Sequence, residues 1–449
     1  MAITSLDDVG TELLTAEAAR NLAGRFVAHL RAAGVPDRGR VLFQAPNSAR
    51  LLAAVLGSLL GEYVPVIVSD KLTARERDEL TADVEPHLVV GGDVMAAAFD
   101  RGPVPISEVP RCRPMHFTSG TSGRPKGVWS GWLDDADARA LVEEETTAWG
   151  MTSEDVYLAA SPMSHSAPLR FPLMTLLSGG SVVVPTAFDV DIVRPLVESG
   201  TVTTAFVAPV PLQRLLGDDE VHTHAMRLVA HAGAPCPAKV RAAARRAFGD
   251  DVVREFYGAT EGQFTVCTPQ EYDARPGTVG RARPGRELRV DHDGRIWCRV
   301  PRHARFEYWR DPAKTAETWD GDWFTVGDLG HLDDADYVYL DGRRSDLIIT
   351  GGVNVYPAEV ERVVLDLPGV TEACCFAVDD DHWGQRVCLA VVGPADEVTI
   401  REHCEEQLAP YKRPKSIYRV DDFPRTHSGK VDRMSVPAFV GAVRGVLRS

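Results

Sequence analysis

The segment TSGTSGRPKG, from Thr118 to Gly127, is the most informative stretch of the chain. Its glycines let successive backbone N–H groups approach an anion closely, because no Cβ intervenes. Its hydroxyl groups can donate hydrogen bonds to phosphate oxygens, and its lysine adds a positive charge. Strand-like residues, MHF before it and VW after it, place it between two strands. We therefore predict a polyphosphate loop that uses Thr118, Ser119, Gly120, Thr121, Ser122, Gly123 and Lys126.

A surface turn rich in glycine and serine is the alternative that composition leaves open for this segment. The common phosphate-loop pattern G-x-x-x-x-G-K-[ST] does not occur in the sequence, which disfavours a nucleotide hydrolase of that class. No G-x-G-x-x-G follows a strand-like run, so a dinucleotide-binding unit is also disfavoured.

Outward from this loop, helix and strand patterns alternate along the first part of the chain. Leu22, Phe26 and Leu30 recur at helical spacing, a strand starts at Val41, and an apolar helix runs from Ser48 to Leu60. Such alternation predicts a mostly parallel sheet covered by helices.

The pattern changes twice towards the C-terminus. From Gly277 onward, short strands are separated by turn pairs such as Asp293-Gly294 and Asp320-Gly321, which indicates a β-rich lobe. After Arg343, helices and strands mix in a compact unit of about 100 residues. The predicted fold class is α/β, with a large N-terminal domain of helix-covered, mostly parallel sheets plus the β-rich lobe, and a small α+β C-terminal domain.

Charge and composition exclude several function classes. The formal net charge is −15 over 449 residues, which argues against a non-specific nucleic-acid binder because such proteins need an electropositive surface. The longest apolar stretch, Leu51 to Val68, is interrupted by Glu62 and Pro65 and is therefore no membrane span. The N-terminus lacks the regions of a secretory signal. We expect neither nucleic acid nor membrane as a partner.

The cysteines point to a reducing compartment. The sequence has eight of them, none in a C-x-x-C pair and none at metal-ligand spacing. Buried free thiols in a cytoplasmic protein are the favoured interpretation.

Four further motifs follow TSGTSGRPKG in the order of a known family. They are YGATE at Tyr257 to Glu261, WFTVGDLG ending at Gly330, DGRRSDLIITGGVNVYPAEVE from Asp341, and PRTHSGKVDR from Pro424. Together they resemble the adenylate-forming superfamily of acyl- and aryl-CoA ligases, peptide-synthetase adenylation domains and luciferases. The resemblance implies a large domain over residues 1–343 that binds ATP and an acid, a hinge at 344–346, and a small mobile domain over 347–449.

The resemblance also implies roles around ATP. Glu261 would bind Mg²⁺, Thr260 would bond a phosphate, and Lys430 would stabilise charge as the carboxylate attacks the α-phosphate. The remaining nucleotide contacts implied are the ring of Tyr257 beside adenine with Gly258, the backbone at Gly233 and Ala234, the ribose-binding carboxylate of Asp328, and the cation of Arg343.

An acid pocket and a thiol acceptor are implied in the same way. The implied pocket residues are His165, Val207, Ala208, Gly233, Gly258 and Ala259. Without an obvious acidic residue to pair an amino acid's ammonium, an aryl or short acyl carboxylate is favoured. The segment GGVNVYPAEVE favours CoA as the thiol, with Gly351 and Gly352 lining its tunnel.

Two departures from the family matter. The hinge residue, usually Asp or Lys, is Ser345 here, and the phosphate loop begins several tens of residues earlier than usual. A shortened N-terminal region could alter a surface used by a homodimer. Three functions stay open: a CoA ligase, an enzyme that delivers the acyl group to a carrier protein or an amine, and an inactive nucleotide-binding homologue.

Overall fold

The computed structural model describes residues 3–6, 10–70, 72, 74–118, 126–217, 221, 223–343, 346–350, 353–380, 384–426 and 429–444. Over the first 255 residues, helices and strands alternate as predicted. The strands are β1 (Thr4–Ser5), β2 (Glu12–Thr15), β3 (Arg40–Phe43), β4 (Val64–Ile67), β5 (Leu88–Val90), β6 (Met115–Thr118), β7 (Lys126–Trp129), β8 (Val156–Leu158), β9 (Ser181–Val184), β10 (Thr204–Phe206), β11 (Leu228–His231) and β12 (Val253–Glu255).

The helices of the same region cover these strands. They are α1 (Ala16–Ala32), α2 (Ala49–Leu60), α3 (Ala74–Val84), α4 (Gly92–Ala97), α5 (Asp135–Trp149), α6 (Ser166–Leu177), α7 (Val190–Glu198), α8 (Pro209–Leu216) and α9 (Ala238–Phe248). Local chemistry sets their starts: the Ser48 side chain, for example, caps α2 by accepting a hydrogen bond from the N–H of Leu51.

The rest of the chain holds the shorter elements. They are β13 (Thr265–Val266), α10 (Pro269–Ala274), β14 (Arg281–Ala282), β15 (Glu287–Val290), β16 (Ile296–Arg299), a 3₁₀ helix at Arg302–Ala304, β17 (Glu307–Tyr308), α11 (Pro312–Thr318), β18 (Trp319–Asp320), β19 (Trp323–Phe324), β20 (Asp328–Leu332), β21 (Val338–Arg343), β22 (Ile348–Thr350), β23 (Val353–Val355), α12 (Pro357–Leu365), β24 (Glu372–Asp380), β25 (Gly384–Val392), α13 (Glu397–Gln407), β26 (Ser416–Arg419) and α14 (Val436–Arg444).

Two sheets with parallel cores form the large unit. One has the strand order β1-β2-β9-β8-β10-β11-β12 and runs parallel from β9 to β12. The other has the order β17-β7-β6-β4-β3-β5 and is parallel from β6 to β5. Helices α1 and α2 supply the apolar layer between them, where Phe26, Leu52, Phe43 and Val182 are fully buried in one core. This confirms the predicted helix-covered parallel sheets.

The β-rich part and the C-terminal unit have separate cores. Strands β15, β16, β19 and β18 pair antiparallel around Phe324, which is fully buried with Phe264. In the C-terminal unit, β23-β22-β25-β24 form a sheet with β26 added beside β25. An ion pair between the half-buried Arg433 and the buried Glu361 ties α12 to the chain ahead of α14. Both results confirm the predicted fold class.

Candidate active site

Four neighbouring parallel strands bring ten of the predicted site residues to one edge of a sheet. Strands β8, β10, β11 and β12 are adjacent and parallel, so their carboxyl ends lie together. Crevices outside such carboxyl ends are where open α/β sheets bind ligands. The residues that follow these four ends are His165, Val207 with Ala208, Gly233 with Ala234, and Tyr257 to Glu261.

The base of the predicted phosphate loop is a strand pair of the other sheet. Thr118 ends β6, Lys126 begins β7, and the two residues are direct partners in antiparallel register. Ser119, Gly120, Thr121, Ser122 and Gly123 lie outside the described residues. The two ends of the loop are therefore held side by side by the β6–β7 ladder.

Glu261 is held by a tyrosine that the sequence motifs do not reveal. Its carboxylate is only 7 % exposed and accepts a hydrogen bond from Tyr308 Oη, with Oε1 at 2.7 Å. The ammonium of Lys126 lies 5.7 Å from the centre of the same tyrosine ring. Tyr308 thus links the base of the phosphate loop to the predicted Mg²⁺ ligand. It belongs to β17, which pairs with β7, and no motif marks it in the sequence.

Asp328 and Tyr257 form a second buried contact. Tyr257 Oη donates to Asp328 Oδ2 at 2.7 Å, and its ring packs on Phe264 with ring centres 4.9 Å apart. Asp328 is 8 % exposed. Arg343 is the direct strand partner of Asp328 across β20 and β21. The two residues that are predicted to contact the ribose side of the nucleotide therefore lie opposite each other in this strand pair. The bond between Tyr257 and Asp328 was missed by sequence reasoning, because it joins residues 71 positions apart.

The turn that carries Thr260 requires glycine. A Cβ on Gly258 would lie 2.6 Å from the carbonyl oxygen of Gly262, so no side chain fits there. The Ala259 N–H donates to that same carbonyl at 2.9 Å and closes the turn. Thr260 and Glu261 sit at its tip and are oriented by backbone geometry.

Lys430 of the C-terminal unit reaches the strand edge. Its Cε lies 3.8 Å from the place where a Cβ on Gly233 would be, and Gly233 has φ +92, a conformation that favours glycine. Burial first, and then the charge of Lys430, lower the pKa of His165 to about 4. Among the described residues, the buried His165 Nε2 has no hydrogen-bond partner. Lys430, Gly233 and His165 are therefore neighbours.

Other predicted pocket residues occupy less open positions. Val207 is 2 % exposed and packs into a core with Leu212, while Ala208 precedes the first turn of α8. The loop that leads to His165 is held by Asn47, whose side chain donates to the carbonyl of Ser161 at 2.8 Å and accepts from the N–H of Met163 at 3.0 Å. Asn47 carried no sequence signal, because its partners are more than 100 residues away.

The predicted hinge and thiol tunnel fall on residues outside the described ranges. Ser345, Gly351 and Gly352 lie outside the described residues, as does the side chain of Arg343.

The described residues suit an Mg²⁺ ion that is bound partly by substrate phosphates, and they do not suit a metal ion that is bound by protein side chains alone. Over the described ranges, no group of three or more His, Cys, Asp or Glu side chains could hold a metal ion. Mg²⁺ is usually bound through one or two carboxylates together with substrate phosphates. Glu261, buried and oriented by Tyr308 beside the phosphate-loop base, suits that mode. Among the same residues, no helix has the length and apolar character needed to cross a membrane.

Family comparisons cover most of the chain. Residues 3–114 and 112–301 match the family described as AMP-binding enzyme. Residues 359–430 match the family described as AMP-binding enzyme C-terminal domain.

Two curated relatives are CoA ligases. A 2-succinylbenzoate–CoA ligase from Bacillus velezensis is 31% identical over 409 residues, which cover 87% of this chain and 78% of the relative. A 3-[(3aS,4S,7aS)-7a-methyl-1,5-dioxo-octahydro-1H-inden-4-yl]propanoyl:CoA ligase from Rhodococcus jostii is 35% identical over 372 residues, 79% of this chain and 68% of the relative.

Solved structures share the whole fold. ATP-bound MatB from Rhodopseudomonas palustris superposes with a TM-score of 0.84 at 27% identity, over 99% of this chain and 98% of that one. MenE from Bacillus subtilis in complex with the acyl-adenylate OSB-AMP gives 0.82 at 25% identity, over 93% and 91%. The amide bond synthetase McbA from Marinactinospora thermotolerans gives 0.82 at 26% identity, over 94% of each chain.

Proposed function

Because the chain belongs to the AMP-binding enzyme family, we propose that it uses ATP to activate an aryl or short acyl carboxylic acid and then transfers the acyl group to CoA. The chain is an acid–thiol ligase of the AMP-forming type. The observation that carries the proposal is the position of Lys430 beside Gly233, since it brings a cation from the C-terminal unit to the edge where the parallel strands end.

In the first step, a carboxylate oxygen of the acid forms a bond to the α-phosphorus of ATP. The bond from that phosphorus to the bridging oxygen breaks, and pyrophosphate leaves with the electron pair. Two anions must approach each other, so catalysis depends on fixed positive charge. We assign that role to Lys430 and to Lys126. The position of Lys126 at the phosphate-loop base, 5.7 Å from the Tyr308 ring centre, supports the second assignment.

Glu261 is the residue that would hold Mg²⁺. The ion, when bound, neutralises phosphate charge and orients the leaving group. Glu261 is suited to this because its carboxylate is held in place: Tyr308 Oη donates a hydrogen bond to one of its oxygens at 2.7 Å. Asp328 is proposed to accept from the ribose hydroxyls, with Tyr257 holding its other side.

His165 is proposed to border the acid as a neutral ring. Since burial and the charge of Lys430 lower its pKa to about 4, it carries no charge at pH 7. It therefore supplies no positive charge to the acid's carboxylate, which leaves that task to Lys430. The other proposed pocket residues are Ala208, Gly233, Gly258 and Ala259, with Val207 behind them.

In the second step, the thiol sulfur of CoA attacks the carbonyl carbon of the acyl-AMP. The bond to the AMP oxygen breaks, and the thiol gives up its proton. We propose that the chain divides into a large domain up to 343 and a small one from 347, that residues 344–346 with Ser345 form the hinge, and that Gly351 and Gly352 line the path of the thiol. Small residues suit that position, because a side chain would narrow the path.

Exchange of labelled pyrophosphate into ATP tests the first step. Exchange should depend on an aryl or short acyl acid from a panel that includes 2-succinylbenzoate, the substrate named for the Bacillus velezensis relative. Adding CoA should then convert the acyl-AMP to a thioester. If no acid in the panel supports exchange, the protein is a nucleotide binder and the proposal is wrong.

An amine or carrier-protein acceptor is the second candidate. The likeness to the amide bond synthetase McbA favours the amine version. Replacing CoA by an amine or by a phosphopantetheinylated carrier protein in the same assay separates the three acceptors.

A cytoplasmic site of action is also proposed. All eight cysteines are free and buried, which suits a reducing compartment. The homodimer remains a prediction, and light scattering of the purified protein tests it.

A further inference from the structure

A cavity of about 70 Å³ lies behind the turn that carries Thr260. Thr260, Gly262 and Gln263 form one wall, and α5 and α6 form another through Glu145 and Arg170. Much of the remaining lining is apolar, with residues such as Leu59, Cys112, Leu141 and Met174, and His116 and Ser166 add two polar side chains. The cavity therefore borders the proposed active site without containing Lys430, His165 or Asp328.

Positive charge exceeds negative charge around this cavity. Arg283 lies 3.0 Å from Glu144 and 3.1 Å from Glu145, and Arg286 lies 2.7 Å from Glu144. Two more guanidinium groups, those of Arg113 and Arg170, line the cavity. Arg170 shares Glu145 at 3.3 Å. Three of the four guanidinium groups therefore share two carboxylates and the fourth, that of Arg113, has none, and burying unmatched charge is costly.

Arg113 is the cation without a carboxylate of its own. The hydrogen bonds the structure gives its side chain go to the carbonyls of Ala304 and Arg305, at 3.4 and 2.9 Å. Burial lowers the pKa of Arg113 to about 10, although the charge of Glu145 acts in the opposite direction. The protein therefore keeps this side chain in an environment that disfavours its charge.

The buried atoms left without partners are mostly donors. Three residues that line the cavity carry a buried donor that makes no hydrogen bond among the described residues: Arg113 Nε, Arg286 Nε and Gln263 Nε2. Arg286 is 4% exposed in its side chain, and Gln263 is 2% exposed. The orientation of the Gln263 side-chain amide is fixed, because Oε1 accepts a hydrogen bond from Arg283. Nε2 is therefore the donor that is left without a partner. Glu145 Oε2 is not open to a ligand in the same way, because it lies 3.3 Å from Arg170 Nε and the two form an ion pair.

This donor set selects an acceptor-only ligand. A water molecule can accept from only two of these three donors, whereas a small anion carries no donor of its own and can accept from all three. The volume admits a halide or a carboxylate group and excludes a nucleotide.

We propose that this cavity is a buried binding site for a small monovalent anion, held by Arg113, Arg286 and the amide of Gln263. The anion would be either a free ion or a second carboxylate at the far end of the acid substrate. Because Gln263 is two residues from Glu261, an occupied site would steady the turn that presents Thr260 and Glu261. The substrate-carboxylate version rests on the proposed function, whereas occupancy by a free ion can be measured without ATP or acid.

Thermal unfolding of the full chain at constant ionic strength tests the site directly. Replacing sodium gluconate, whose anion is too large for the cavity, by sodium chloride or sodium acetate should raise the Tm saturably, on the order of 2–4 °C. Arg113→Gln and Gln263→Met should lose this response. Arg305→Gln, which removes a 39%-exposed arginine from the neighbouring surface, is the matched control and should keep it. A Tm that is indifferent to the anion, or an equal response in all four proteins, overturns the proposal.

If a variant fails to fold, crystals of the wild-type protein grown with sodium bromide provide an independent test. The expected result is an anomalous bromide peak within hydrogen-bond distance of Arg286 Nε or Gln263 Nε2. Water alone in the cavity overturns the site.

The source of the anion follows from pyrophosphate exchange. If the ligand is the substrate's second carboxylate, chloride should compete with the acid and dicarboxylic acids should be preferred over matched monocarboxylic ones. If it is a free ion, chloride should change the rate without competing. Loss of exchange with an intact Tm response would refute the proposed function and leave the anion site standing.

Discussion

The strand edge of the large unit and the lysine loop of the small unit contribute to one site in different ways. At the strand edge, His165, Gly233 and the turn at Gly258 follow adjacent parallel strands, so the backbone ladder fixes their spacing. Lys430, in contrast, is an exposed residue between β26 and α14. Its place beside Gly233 depends on how the two units meet.

The residues of the strand edge are thus positioned by the folding of one sheet, whereas Lys430 is positioned by the docking of one unit on the other. The strand edge should be as stable as the sheet that builds it. The position of Lys430, in contrast, would change with any change in how the two units meet, because it belongs to the C-terminal unit. The small unit also approaches the large one through Lys239, whose Nζ donates to the carbonyl of Val370 at 2.8 Å.

Removing the docked cation should have the largest effect. Lys430→Ala should lower acid-dependent pyrophosphate exchange by about 100- to 1000-fold, because it deletes a charge aimed at the transition state. Conversion of supplied acyl-AMP to the CoA thioester should be spared. Lys412→Ala, which breaks an ion pair with Glu359 in the same unit, is the control. An equal loss in both half-reactions would mean that Lys430 serves folding or docking instead.

Disturbing the strand-edge site through a positioning residue should cost less. Tyr308→Phe leaves the buried Glu261 carboxylate without its 2.7 Å donor, at about 1–3 kcal/mol, or roughly 5- to 150-fold in exchange rate. The concentration of Mg²⁺ needed for half-maximal exchange should rise. Tyr337→Phe, which removes a hydroxyl from the more distant Glu271, should leave that concentration unchanged. A uniform loss of rate at every Mg²⁺ concentration would argue against positioning of the metal ligand.

The sheet platform should also weaken in acid. Burial lowers the pKa of His116 and of His231 to about 4, whereas both should titrate near 6.5 when unfolded. The unfolded state therefore takes up protons first as the pH falls below 6.5, so folding stability is lost between pH 6.5 and 4. Each histidine should cost about 2 kcal/mol of unfolding free energy on going from pH 7 to pH 5.

Urea unfolding of variants checks this pH dependence. His231→Gln cannot titrate, so its unfolding free energy should fall by about 2 kcal/mol less than that of the wild type between these two pH values. His292→Gln replaces a side chain that is 89% exposed and should behave as the wild type does. If the unfolding free energy fell equally between pH 7 and pH 5 in the wild type and in both variants, His231 would not be a source of the pH dependence.

Loosening the contact between the units should have the smallest effect. Lys239→Met removes one charged hydrogen bond and should lower pyrophosphate exchange by roughly 5-fold, with thioester formation from acyl-AMP unchanged. Lys314→Met, on a surface helix where the lysine pairs with Glu317, is the matched control. A drop in the second half-reaction as well would show that the contact is needed throughout the cycle.

Much of the fold was predictable, because its signals are local. The helix and strand alternation before residue 100, the phosphate-loop strands and the β-rich lobe all follow from periodicity and turn chemistry. The family resemblance added residue roles at YGATE, Asp328 and Lys430, and these remain predictions for the individual side chains. Tyr308, Asn47 and the arginines around the cavity carried no signal, because each acts on partners far away in the chain.

The sequence alone determined the order of the elements, the glycine turns and the five motifs of an adenylate-forming ligase, since hydrophobic period, turn residues and motif spacing are all written along the chain. Only the tertiary structure decided which side chains meet. The hydrogen bond from Tyr308 to Glu261 joins residues that are 47 positions apart in the sequence. The hydrogen bond from Tyr257 to Asp328 joins residues that are 71 positions apart. The reach of Lys430 to Gly233 likewise exists only once separate sheets have packed. Contacts of this kind depend on strand register and domain approach, which no local pattern specifies.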